Sequence, residues 1–246
     1  MSGAALLAPS LLRRPRGQRS PWRPAAACAL FTYAIAFSLA YTWLPAGTGA
    51  LLLFGCVQAT MISAGLLRGE RLTARKATGI ATASVGVVVL LLPGVRAPDP
   101  LGALLMAAAG VAWGLYSLLG QRVQRPIEAT AQNFALAAVG CAPLLLVGVA
   151  TQQWTTAGVA LAVASGTLTS ALGYVLWYAA LPAMKATNAA VVQLAVPALA
   201  VGGGAALLGE QPSLRLAGAA ALTLGGIAVA ITAPPRGPDE ESAASR

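Results

Sequence analysis

The sequence predicts an all-α polytopic membrane protein of about eight transmembrane helices, built from an inverted-topology repeat. Three observations carry that expectation. The 246 residues are 57% hydrophobic and only 9% charged, whereas soluble domains run at about 25% charged residues. Eight apolar runs approach the length of about 20 residues that crosses a bilayer as a helix. A charged turn between two such runs recurs 140 positions downstream.

The eight runs are Ala25–Trp43, Gly47–Leu67, Ala77–Leu92, Leu101–Leu119, Ala131–Val149, Gly158–Leu181, Asn188–Leu208 and Leu216–Ile231. Mean hydropathy over the whole chain is +0.73. No segment alternates polar and apolar residues as the strand of a membrane barrel must, so helices are expected throughout.

The formal net charge is +9, which raises the possibility of a nucleic-acid partner. The basic residues, however, stand in short clusters between apolar runs and do not form a phosphate-binding face. With the N-terminus in the cytoplasm, 14 of the 16 lysines and arginines fall on the inside, and only Arg96 and Arg215 fall outside. This asymmetry supports both the span count and an orientation with both termini cytoplasmic.

Residues 1–24 hold the short apolar piece AALLAPSLL followed by five arginines. A signal peptide has its positive charge before the apolar region, the reverse of this order. The segment 233–246 is polar and proline-rich and is expected to be a disordered cytoplasmic tail. Cys28, Cys56 and Cys141 are odd in number and have no CxxC spacing, so they are expected to be small buried apolar groups without disulfide or metal. The absence of histidine removes the commonest general base and metal ligand.

The turn GERLTARKATG at 69–79 is echoed by GEQPSLRLAG at 209–218. Displaced by 140, Gly69 and Glu70 meet Gly209 and Glu210, Leu67 meets Leu207, and Ala40, Ala46 and Ala50 meet Ala180, Ala186 and Ala190. Beyond the acidic turn the second copy reads as one residue shorter, pairing Gly79 and Gly86 with Gly218 and Gly225. The displacement spans five helices, an odd number, so the second copy is expected upside down relative to the first. Such repeats are the architecture of secondary transporters, with the solute site at the repeat interface near the bilayer midplane.

LLRGERLTARKATGIATASVGVVVLLLPG and AALLGEQPSLRLAGAAALTLGGIAVAI resemble the closing helix pairs of the EamA-type repeat in the drug/metabolite transporter superfamily. GVAWGLYSLLGQR, with Trp113 and Gly114, resembles the opening helix of the second repeat, and SALGYVLWYAALPAMKATNAAVVQLAVPALA its third and fourth helices. The resemblance implies a complete five-helix repeat over 100–232 and a partial, three-helix first repeat over 25–93. The family has ten helices where eight are expected here. AALLAPSLLRR is similar to the stump of the second helix, and a start assigned too late is the expected reason.

No charged residue lies in the middle of a span, which argues against a central carboxylate relay and favours an uncharged or zwitterionic solute. Candidate solute-binding residues are Tyr33, Gln58, Trp113, Thr169, Ser170, Tyr174, Trp177, Tyr178 and Gln193, with Asn133 nearer the cytoplasmic side. Tyr174, Trp177 and Tyr178 share a face at helical spacing. The competing readings are that Trp177 and Tyr178 belong to an interfacial aromatic belt and that Gln58 bonds a neighbouring helix. Gly110 with Gly114, and Gly202–Gly204 with Ala206, are expected to let helices approach closely. Pro182 and Pro197 are expected to break or kink helices, with Pro197 a flexing point. Glu70 and Glu210 sit at the membrane edge, either fixing turns through backbone amides or arginines, or acting in gating or cation coupling.

The function expected is a secondary transporter in the plasma membrane, moving small organic metabolites or drugs by alternating access, with export as the direction the resemblance implies. The alternative is a truncated fragment or assembly partner without transport. A membrane enzyme is disfavoured, because no nucleophile–base pair or aspartate-rich motif is present. The expected partners are a small-molecule solute, the lipid bilayer and a second copy in a homodimer, with no nucleic acid, cofactor or metal.

Overall fold

The computed structural model describes residues 2–12, 24–92, 97–151, 154–208 and 213–232. Eleven α-helices follow one another among these residues: α1 Ser2–Leu12, α2 Pro24–Ala40, α3 Ala46–Leu67, α4 Ala74–Leu91, α5 Pro100–Gly120, α6 Pro126–Thr151, α7 Thr156–Ala164, α8 Gly173–Ala180, α9 Ala186–Gln193, α10 Ala195–Leu208 and α11 Leu214–Ile231. A π-wound stretch, Ser165–Leu172, joins α7 to α8, making one apolar span of 28 residues, Thr156–Ala183. Six helical segments among the described residues are long and apolar enough to cross a membrane, and α2 is a shorter apolar helix. The chain is a multi-pass helical membrane protein.

Local chemistry sets the boundaries. α2, α5 and α6 each begin on a proline, whose missing N–H costs nothing in a first turn. Asp99 caps α5 by accepting from the Gly102 amide at 2.9 Å. Thr155 caps α7 in the same way, through the Gly158 amide at 3.1 Å. Pro182 lies in the 3₁₀ turn Leu181–Ala183 that closes α8.

The expected single span Asn188–Leu208 is two helices, separated at Leu194. Pro197 has no N–H to give the carbonyl of Gln193, and its ring crowds that carbonyl, so the break falls three residues before the proline. There the Leu194 amide bonds Val191 in a tighter turn at 3.0 Å.

Two compact units form. One comprises Met1–Leu39 with Ala108–Met184, the other Ala40–Ala107 with Lys185–Arg246. In the first, α1 is a packed helix, its Leu7 joining Ala131 and Ala171 in a small core backed by Phe134 and Val175.

In the second unit, the core is Ala83, Val87, Val191, Leu194, Ile227 and Ala230. Its centre is the crossing of α4 and α11. A methyl built on Gly79 would lie 2.6 Å from the Ala230 amide nitrogen and 2.8 Å from the Gly226 carbonyl oxygen; one on Gly86 would lie 2.9 Å from the Ala219 carbonyl. Rising numbers on α4 meet falling numbers on α11, so the two helices are antiparallel. Adding 140 on one side and subtracting it on the other turns the Gly79–Gly226 contact into the Gly86–Ala219 contact. The crossing therefore has the self-complementary character of a two-fold interface.

The same displacement governs the rest of the pair. Thr73 and Ser213 are the caps, accepting from the amides of Lys76 and Leu216. Arg215 donates to the Val89 carbonyl at the end of α4 (2.7 Å), and Arg75 donates to Thr232 at the end of α11 (3.3 Å). Each cation thus reaches the negative end of the other helix's dipole. This corrects the register read from glycines alone. The partner of Gly86 is Gly226, whereas Gly218 and Gly225 have nothing within 4 Å. Matching by letter paired glycines on different faces.

Two packing expectations also change. Gly202 and Gly203 have nothing within 4 Å; they line an apolar groove of about 630 Å³ between α10 and α11, with Ala217, Ala220 and Leu224 opposite. Cys28 is exposed, and Cys56 and Cys141 are half-buried, because each sits on a helix face turned out of its core.

Candidate functional site

The aromatic residues of the first unit converge. α5 places Trp113 and Tyr116 one turn apart, and α8 places Tyr174 and Tyr178 one turn apart, so each helix offers a two-ring face. Trp113 stacks on Tyr116 with ring centroids 5.6 Å apart and meets Tyr174 edge-on at 5.1 Å. Tyr33 of α2 lies 4.8 Å from Trp113 and 5.3 Å from Phe37. Phe134 of α6 meets Tyr174 edge-on at 5.3 Å. Such pairings each add about 0.5–1.5 kcal/mol beyond burial.

The cluster is graded from core to edge. Tyr116 and Tyr178 are fully buried and stack at 4.6 Å. The Tyr178 hydroxyl donates to the Tyr116 carbonyl at 3.1 Å and accepts from the Asn133 amide at 3.4 Å. Trp113, Tyr33 and Tyr174 are half-buried. Trp177 turns to α5, its indole N–H donating to Ser117 at 3.1 Å, so it is packed inside the unit. Thr169 stands apart: it is exposed, and its hydroxyl donates to the Ser165 carbonyl at 2.7 Å. Ser170 beside it is half-buried.

The second unit gathers Gln58, Gln193, Pro197 and Glu70. Gln58 donates its side-chain amide to the Ala190 carbonyl at 2.6 Å. That carbonyl is available because the Leu194 amide has gone to Val191. Gln193 donates to the Met61 sulfur and to the Ala189 carbonyl, both at 3.1 Å. Pro197 is buried.

Glu70 is reached by a tight helix ending. Gly69, at φ +84°, adopts the left-handed conformation that glycine permits. Its amide bonds Leu66, and the Glu70 amide bonds Gly65, both at 2.9 Å, which is the Schellman closure of a helix. The Glu70 carboxylate then accepts from the amides of Ala186 (2.7 Å) and Thr187 (3.1 Å) and from the Thr187 hydroxyl (2.7 Å). Burial works to raise its pKa. The bonds from Thr187 and Ala186 and the charge of Lys76 outweigh that, leaving it below the ordinary carboxylate value. Glu210 lies outside the described residues.

These arrangements belong to a protein with close relatives. Residues 100–232, more than half of the chain, match the family model described as the EamA-like transporter family. The chain belongs to the EamA-like transporter family. The transporter is 52% identical over 233 residues to the uncharacterized protein PA1977 of Pseudomonas aeruginosa, covering 94% of this chain and 80% of that one. An uncharacterized transporter of Archaeoglobus fulgidus is 25% identical over 202 residues, covering 81% of this chain and 72% of the other. A known crystal structure superposes with a TM-score of 0.74 at 26% identity, over 94% of this chain and 85% of that one. The chain is thus a membrane transporter of the drug/metabolite transporter type rather than an enzyme.

Sequence reasoning about this transporter missed three side chains. Tyr116 is the floor of the aromatic cluster; its spacing of three from Trp113 was a signal for it. Glu128 is 6% exposed, because α6 starts at Pro126, five residues before the expected span, and takes the acid into its first turn. Its carboxylate meets Arg125 at 3.5 Å, beside a cavity of about 620 Å³ whose other wall is Leu6, Leu7 and Pro9 of α1. Lys76 is 8% exposed and donates to the Thr187 hydroxyl.

Proposed function

We propose that the protein is a secondary transporter that exports small, uncharged or zwitterionic organic metabolites or drugs across the plasma membrane by alternating access. The observation that carries this reading is the graded aromatic cluster. Half-buried Trp113, Tyr33 and Tyr174 pack in ring contact with one another and with fully buried Tyr116 and Tyr178. Such a surface suits planar or amphipathic solutes, and its quadrupole also attracts an ammonium group. Export is supported by the family resemblance, and cytoplasmic termini by the 14-to-2 distribution of basic residues. The antiparallel, two-fold crossing of α4 and α11 supports an inverted repeat, in which one half rocks against the other.

The test is transport of a metabolite panel by the full chain reconstituted in liposomes, with and without a proton gradient. Saturable movement of at least one solute, weakened in Trp113→Ala with the protein still folded, is expected. No movement of any panel member under either condition overturns the reading.

A further inference from the structure

Three helix ends meet at Glu70. Its amide closes α3, Thr73 opens α4, and its carboxylate occupies the N-terminal turn of α9. The cap residue of α9, Lys185, contributes no side-chain cap bond of its own, so Glu70 supplies that cap from another segment. A carboxylate there satisfies two orphan amides and opposes the positive end of the helix dipole. Thr187, fully buried, uses one hydroxyl twice: it donates to Glu70 and accepts from the Lys76 ammonium. The backbone is cut to fit. A methyl on Gly65 would lie 2.9 Å from the Thr187 methyl and 3.0 Å from a Glu70 carboxylate oxygen.

α9 is only eight residues long and ends at the break before Leu194. Glu70 holds its first turn, and Gln58 holds its last through Ala190.

We propose that Glu70, Thr187 and Lys76 form a charge latch on the first turn of α9, closed in this structure, and that its release is a step in the transport cycle. The use of the latch rests on the transport reading; its existence does not. The charge that acts on the carboxylate is Lys76 from α4; Lys185 at the head of α9 acts on Lys76, and Arg68 and Arg71 flank Glu70 in sequence and are exposed. Two groups of the latch titrate: the Glu70 carboxylate, and the Lys76 ammonium, whose pKa is lowered by its burial. With the Glu70 pKa below the ordinary value, the carboxylate's own stabilisation is present above the unfolded carboxylate value of about 4.3 and is lost as pH falls through the depressed folded value.

The test is hydrogen exchange on the full chain in nanodiscs, read at the amides of Ala186 and Thr187 and corrected for intrinsic rates across a pH series. Glu70→Gln and Thr187→Val are expected to exchange there roughly tenfold faster at neutral pH, while α11 keeps its protection. Thr187→Ser keeps the wild-type rate, and the response to falling pH vanishes in Glu70→Gln. In transport, Glu70→Gln changes turnover and leaves KM for the solute in place. Wild-type protection in Glu70→Gln, or a loss spread equally over all helices, overturns the latch. If the wild type moves no solute while the exchange result stands, the transport reading fails and the latch survives.

Discussion

Gln58 on α3 gives its side-chain amide to the Ala190 carbonyl of α9 at 2.6 Å, and the bond exists because of a proline seven residues further on. Pro197 forces the turn at Leu194, the Leu194 amide moves to Val191, and Ala190 needs another donor. A bare carbonyl in hydrocarbon costs several kcal/mol, so a glutamine in mid-helix is the expected remedy. Of the two readings open for Gln58, this one gives it a helix-to-helix bond.

The coupling is measurable. Gln58→Leu should destabilise the protein by about 0.6–1.7 kcal/mol, the range for interhelical bonds in membranes. In Pro197→Ala, residue 197 again donates to Gln193, and the Leu194 amide can return to Ala190. The Gln58→Leu cost should then shrink. A double-mutant cycle of reversible unfolding in mixed micelles should show coupling of at least about 0.5 kcal/mol; strict additivity would mean that the proline and the glutamine are unrelated.

The α4–α11 crossing separates glycines by face. Gly226→Ala places a methyl against the Ala83 backbone, and Gly79→Ala one against Ala230. Neither neighbour is a flexible side chain, so each should cost about 1–3 kcal/mol of overpacking. Gly218→Ala and Gly225→Ala enter open space and should be neutral, or stabilising by up to about 1 kcal/mol through helix propensity. Thermal unfolding of the four variants decides. Equal effects at Gly225 and Gly226 would restore the shorter register read from the letters.

The two-fold relation of α4 and α11 has a consequence for sidedness. In a Cys28→Ala, Cys56→Ala, Cys141→Ala background, Arg71→Cys and Leu214→Cys should react with impermeant maleimide from opposite faces of sealed vesicles. Both positions are exposed, so access is not limiting. Labelling of both from one face would remove the inverted repeat and the alternating-access mechanism built on it.

What could be read from the chain follows from what each signal depends on. Apolar runs were legible because crossing lipid depends on length and hydropathy, not on neighbours. The acidic turn was legible because Gly69 followed by Glu70 is a helix ending written in residue types. The break at Leu194 was not placed, since a proline disturbs the turn before it rather than its own position. The glycine register failed because a letter match ignores which face a helix buries. In the aromatic cluster, Tyr174 and Tyr178 could be found by spacing within a helix, and Trp113 by its depth in its span. Phe134 and the turn of Trp177 towards Ser117 depend on contacts between helices, which spacing along one helix does not encode.

The grading of that cluster separates support from recognition. Tyr178→Phe removes the hydroxyl that bonds the Tyr116 carbonyl and receives Asn133, and each lost bond is worth about 0.5–1.5 kcal/mol. Its melting temperature should therefore fall, while KM for any transported solute stays near the wild-type value. Trp113→Phe keeps a ring against Tyr33 and Tyr116 but withdraws the indole face and its N–H. Its melting temperature should hold, and its KM should rise severalfold. The two residues sit in one network, so a shared structural role would move both measurements together. The opposite split, with KM changed by Tyr178→Phe alone, would place the solute beneath the cluster and leave Trp113 as packing.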